Sequence, residues 1–134
     1  MRRLLSYLWA MPTTCLGLPF VVAALATGGR VRLVSGVLEV HGRTIATLLR
    51  HVPIAGGASA MALGHIVVGR DAPCLERTRQ HERVHVRQAE RWGPLFIPAY
   101  FLASAIAKLH GGDAYRDNAF EREAYGCDSC QPPA

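Results

Sequence analysis

The sequence predicts a small α+β domain behind an N-terminal membrane helix, and three observations predict it. Residues Leu4 to Gly29 carry no charged side chain. Two β-branched runs around Ser35-Gly36, and a third apolar run ending at Gly69, have the short, turn-bounded form of strands. From Asp71 to Trp92 the chain turns to Arg, Glu, Gln and Ala, which favour helix.

A chain of 134 residues suits one domain with a modest core. Half of its residues are apolar and 19% are charged, a balance that points towards a membrane. The net charge of +5 comes from 15 Lys+Arg against 10 Asp+Glu, and every cation except Lys108 is an arginine. These are spread along the chain, without the aromatic-interleaved basic cluster of a nucleic-acid surface. Membrane lipid is therefore an expected partner and nucleic acid is not. Three regions are expected: a transmembrane anchor at 1–29, a domain at 30–126 and a disordered tail at 127–134.

The run Leu4 to Gly29 exceeds the roughly 20 apolar residues that a bilayer core requires. Arg2 and Arg3 precede it, Arg30 and Arg32 follow it, and Tyr7 and Trp9 suit an interface. Pro12 and Pro19 are expected to kink it. A signal peptide is the rival reading, with Ala24-Leu25-Ala26 as its cleavage site, which would make the protein secreted. The run is longer than the usual ~7–15-residue signal core. That favours an uncleaved single-pass anchor in a bacterial-type cell membrane.

Val31 to Val34 and Val37 to Val40 read as a hairpin around Ser35-Gly36, closed by Gly42. Thr44 to Arg50 fits a third strand or a short helix, and Pro53 to Ser59 is a loop. Met61 to Val68 reads as one buried strand directly before the long helix. There it can border a cleft and pair with an extended peptide. His65 within it reads as a core or edge histidine, with a catalytic role as the alternative.

Asp71 is a good N-cap for the long helix, Pro73 is tolerated in its first turn, and Gly93-Pro94 stops it. The helix contains His81-Glu82-x-x-His85. Positions i and i+4 share one face, so both imidazoles can bind one Zn²⁺ at about 2.0–2.1 Å. Glu82 lies about 100° further round, where its carboxylate can act as general base on a metal-held water. The face continues through Thr78, Ala89 and Trp92, whereas Arg77, Arg79, Arg83, Arg87 and Arg91 fall largely elsewhere. Pro94 to Ala107 is a second uncharged stretch, shorter than the ~17-residue minimum for a span, and reads as a packed or interfacial helix.

Tyr115 to Tyr125 reads as a short helix capped by Asp117 or Asn118 and stopped by Gly126. His81-Glu82-x-x-His85 followed by Glu121-x-x-Ala124 resembles the gluzincin metallopeptidases, in particular their very small, membrane-tethered members. The resemblance runs from about Met61 to Tyr125. It implies a zincin-like fold, Zn²⁺ held by His81, His85 and Glu121, Glu82 as general base, and a peptide or protein substrate. Glu123 is the runner-up ligand, or a partner for a ligand histidine. Tyr115 or Tyr125 is a candidate donor to an oxyanion. Asn118 and Glu121 also fit a capping box, which would turn the carboxylate back to the backbone.

The chain departs from the gluzincin pattern at Arg79, Arg83 and Arg87, where active members keep uncharged residues. Contacts to an acidic partner or to lipid headgroups are expected for these arginines. Cys15 and Cys74 read as small apolar residues, and Cys127 and Cys130 as a disulfide or two free thiols. The function expected is zinc-dependent peptide hydrolysis at a membrane. A catalytically silent zinc-binding module and a metal-free structural membrane protein are the alternatives.

Overall fold

Successive side chains of a strand point to opposite faces of its sheet, and the strand Val37–His41 finds cover on both. The computed structural model describes residues 1–52 and 57–126. In chain order the elements are α1 (Arg2–Cys15), α2 (Leu18–Ala26), β1 (Arg30–Val34), β2 (Val37–His41), α3 (Arg43–Arg50), β3 (Ala60–Leu63), β4 (Ile66–Gly69) and α4 (Ala72–Trp92). A 3₁₀ turn (Gly93–Leu95), α5 (Phe96–Leu109) and α6 (Ala119–Tyr125) follow. The architecture is mixed α+β, with one four-stranded sheet in the order β1-β2-β4-β3. The β2–β4 pair is parallel and the other two pairs are antiparallel.

On one face of the sheet, Val40, Ile66 and Val68 pack with Ala24 of α2 and with Ile45 and Leu49 of α3. On the other, Val37, Ala62 and Val67 pack with Leu75 and Val86 of α4. A third cluster, Ala10, Ala89 and Phe96 with Tyr100 and Phe120, sits where α1, α4, α5 and α6 meet. Each large side chain fully buried in these layers contributes about 1.5–3 kcal/mol. The motif helix therefore lies against the sheet on one side and against α1, α5 and α6 on the others.

The β1–β2 hairpin forms as expected. Ser35 and Gly36 both have positive φ, 48° and 81°, the pattern of the turn whose twist matches flanking strands. Thr44 to Arg50 belongs to a helix, in which Ile45, Ala46 and Leu49 are buried on one side. Met61 to Val68 is not one strand. Gly64, at φ 62°, folds the run back on itself, so that β3 takes the sheet edge and β4 the interior. The strand that borders the motif helix from the edge is thus β3, not the segment directly preceding that helix.

Leu4 to Gly29 forms two helices bent by 62°, not one straight rod. The break falls at Leu16-Gly17. Pro12 lies inside α1, and Pro19 occupies the first turn of α2, where a missing N–H costs nothing. The helical stretch Ala72–Leu109 is long and apolar enough to cross a membrane, as is the bent α1–α2 pair taken together. Residues 53–56 of the Pro53–Ser59 loop, and the tail with Cys127 and Cys130, lie outside the described residues.

Candidate metal centre

Asp71 starts α4. Its Oδ1 accepts the Cys74 N–H at 2.8 Å, and that bond holds the carboxyl below the usual range. With the start fixed there, His81, His85 and Gln88 line one buried stripe of α4. Two arginines set the rotation of the helix. Arg79 binds the buried Glu39 of β2 through two bonds of 2.8 and 2.9 Å, and Arg83 donates to the carbonyls of Val34 and Ser35 in the hairpin turn. These two side chains sew helix to sheet.

Asn118, wholly buried, caps α6 through Oδ1 to the Phe120 N–H at 2.8 Å. Its amide nitrogen donates to the Tyr100 carbonyl and to Ser104 Oγ, fastening α6 to α5. The Asn118 N–H goes to the Tyr115 carbonyl, so Glu121 has no capping duty and turns to the histidines.

Four ligand-type atoms of three residues converge there. His81 Nε2 and His85 Nε2 are 3.2 Å apart. Glu121 Oε2 is 3.1 Å from the first, and Oε1 is 3.3 Å from the second. A tetrahedral ion with bonds of about 2.0–2.1 Å has ligand–ligand edges of about 3.3 Å, close to each of these separations, although the two Glu121 contacts are made by different oxygens of its carboxylate. Glu121 Oε2 is buried and, among the described residues, has no hydrogen-bond partner despite its closeness to His81. The buried group His81, His85 and Glu121 can hold a metal ion.

Electrostatics favour a cation at the same place. Burial raises the Glu82 carboxyl, partly offset by the two histidines. Burial would also raise Glu121, but His81, His85 and Tyr100 hold it low. Burial opposes charge on the His85 ring, yet the bond to Glu121 and the charges of Glu82 and Glu121 drive it upward. Two carboxylates, 4% and 3% exposed, share this pocket. Buried negative charge of this kind needs a cation beside it, and protonated His85 or a bound metal ion can each serve as that cation. The Ala62 backbone of β3 tempers the rise of the Glu82 carboxyl, and Glu82 Oε2 has no partner among the described residues.

Around the triad, Gln88 Oε1 lies 2.8 Å from His85 Nδ1. Its amide nitrogen donates to the Phe120 carbonyl at 3.0 Å and to Glu123 at 3.2 Å. Tyr100 donates to Glu121 Oε1 at 2.6 Å. Neither Gln88 nor Tyr100 was singled out from the sequence. Gln88 was detectable, three residues beyond His85 on the same stripe; Tyr100 carries no local signal. Tyr125 lays its ring on His81 at 4.3 Å between centroids and bonds Tyr115 OH at 2.9 Å. Burial pushes the Tyr115 phenol up, so it keeps its proton.

Two expected site residues stand elsewhere. Glu123 reaches His85 only through Gln88 and also pairs with Arg91 at 3.7 Å. His65 turns away to Glu90, 2.8 Å from its Nε2, and stacks on Tyr7. Its position at the β3–β4 turn, beside α1, explains the difference.

Comparison with protein-family models, curated proteins and solved structures finds no match to this chain.

Proposed function

We propose that this chain is a membrane-attached zinc metallopeptidase of gluzincin type, with a zincin-like fold and a peptide or protein substrate. The observation that carries the reading is the set of 3.1–3.3 Å contacts among His81, His85 and Glu121, beside an oxygen of Glu82 that has no partner among the described residues. Zinc is the ion that best suits two imidazoles, one carboxylate and edges of this length.

When bound, zinc supplies Lewis-acid polarisation of the scissile carbonyl and lowers the pKa of the attacking water. Glu82 takes the proton from that water and passes it to the leaving amine. Its burial raises the carboxyl above the usual carboxylate range, which suits a group that must both accept and return a proton. β3 is the sheet edge nearest Glu82, so an extended substrate adding beside it brings its carbonyl to the acid. The Tyr115–Tyr125 pair stands at the His81 side, where a protonated phenol can donate to a developing oxyanion.

One observation favours a second reading, a zinc site that only staples the fold. The three ligands are 8% exposed or less, and the Tyr125 ring covers His81. Glu82→Gln separates the two in purified, zinc-loaded protein assayed against a peptide library. Under the peptidase reading, turnover falls at least about a hundredfold while zinc stays bound in one equivalent. Equal hydrolysis by parent and variant, or none by either with zinc bound, leaves the structural site. Absence of zinc from the parent overturns both.

A further inference from the structure

α1 is amphipathic the wrong way round for a protein in water. Its inward side is small and hydroxylic: Ala10 and Thr13 are buried and Thr14 is nearly so. Thr13 donates to the Gly93 carbonyl at 3.0 Å, Thr14 Oγ1 accepts the His65 N–H, and Tyr7 donates to the Gly36 carbonyl at 2.7 Å. Its outward side carries Leu4, Leu5, Leu8 and Met11, all about half exposed or more. Small and hydroxylic residues against protein with leucine outward is the arrangement of a helix that faces lipid. A water-facing helix has the reverse.

α5 repeats the pattern. Phe96, Tyr100 and Ala107 face the metal centre and the core, while Phe101, Leu102, Ile106 and Leu109 face out, from 48% to 86% exposed. The two helices meet along an apolar groove of about 280 Å³, lined by Pro12, Thr13, Leu16, Pro94, Ile97 and Pro98. The groove joins the C-terminal end of α1 to the first turn of α5, and α2 adds the exposed Leu18, Val22 and Leu25. Exposed Arg2, Arg3, Arg30 and Lys108 stand at the ends of these helices.

From this juxtaposition we infer that α1, α2 and the outer face of α5 dock on the interface of an anionic bilayer and lie along it. α1 and α5 have 14 residues each, about 21 Å at 1.5 Å per residue, short of a hydrocarbon core of about 30 Å; the longer stretch Ala72–Leu109 includes α4, which is packed against the sheet. α1 cannot straighten into α2 without releasing its bonds to Gly93, His65 and Gly36. The basic residues at the helix ends match lipid phosphates. The inference rests on the membrane attachment proposed above and not on the zinc chemistry.

Cys15, exposed at the end of α1, reports the depth. In the full chain with Cys127→Ser and Cys130→Ser, a spin label on Cys15 is read in phosphatidylcholine vesicles with and without phosphatidylglycerol. Docking predicts a label within about 5–10 Å of the headgroups. Binding should be at least about tenfold stronger to the anionic vesicles and fall with salt. Leu8→Glu and Leu102→Glu should each release the protein with zinc content unchanged. A label at the bilayer midplane overturns the in-plane arrangement, and equal binding to both vesicle types overturns the anionic assignment. A vesicle-free dimer cross-linked through α1 or α5 assigns the face to a second copy instead. Peptide hydrolysis plays no part in these readouts, so this proposal and the catalytic one fail separately.

Discussion

Gln88 faces the Nδ1 of His85 at 2.8 Å, and that contact decides which nitrogen of the ring is free. The Gln88 amide NH₂ donates to Phe120 and Glu123, which leaves Oε1 as the acceptor towards His85. The ring then carries its proton on Nδ1 and turns the Nε2 lone pair to the metal position. The same side chain ties α4 to α6, the helix that supplies Glu121. Gln88→Leu should therefore weaken zinc binding about 10–100-fold, measured by competition with a chromophoric chelator. Undiminished affinity would show that the ring needs no such support.

Tyr100 acts on the other ligand. Its hydroxyl reaches Glu121 Oε1 at 2.6 Å, and its ring packs between Phe96 and Phe120. Tyr100→Phe keeps the ring and removes the bond. Zinc affinity should fall about tenfold with the melting temperature of the metal-free protein little changed. A large loss of stability instead would place the hydroxyl among the structural bonds of the fold.

What was legible in the sequence was what is local. His81, Glu82 and His85 belong to one turn and a fraction of helix, and the Asp71 cap and the Gly93 stop are read from neighbours. Glu121 was reached only through the resemblance, because local spacing admits a capping box equally well. The structure distinguishes the two roles through Asn118, whose partners lie on α5. The turn at Gly64 was hidden because Ala62-Leu63-Gly64-His65-Ile66 offers no polar turn residue beyond the histidine. The bend of the N-terminal run was placed at its prolines, yet it falls where Gly17 meets Ile66. Both misplacements have one cause: packing between distant segments leaves no periodic trace.

Arg79 and Glu39 test how α4 is set against the sheet. Glu39 is 3% exposed, and apart from Arg79 its ion-pair partner is the exposed Arg32 at 3.8 Å. Arg79→Ala leaves a buried carboxylate poorly compensated and should cost about 3 kcal/mol in denaturant unfolding. Replacing both residues together, Glu39→Leu with Arg79→Met, should recover most of that loss, because no charge then remains in the layer. A double variant as unstable as the single one would show that the helix needs the bidentate bond itself.

Metal removal gives the most direct measure of the centre. The ligands come from two helices whose relative position is set by packing and a few hydrogen bonds, and no ion binds the unfolded chain in this geometry. An ion that binds only the folded state stabilises it by RT ln(1 + [L]/Kd), about 4 kcal/mol at a thousandfold excess over Kd. For a chain of this length that is a rise of roughly 15 °C in Tm, lost on adding a chelator. His81→Ala and Glu121→Ala should melt at one temperature with or without zinc, whereas Glu82→Gln, which keeps every ligand, should respond as the parent does. Scanning fluorimetry of the four proteins is sufficient. A parent chain whose melting is indifferent to zinc would leave the histidines as the partners of the buried carboxylates, and the triad would stand as an ion-paired core cluster.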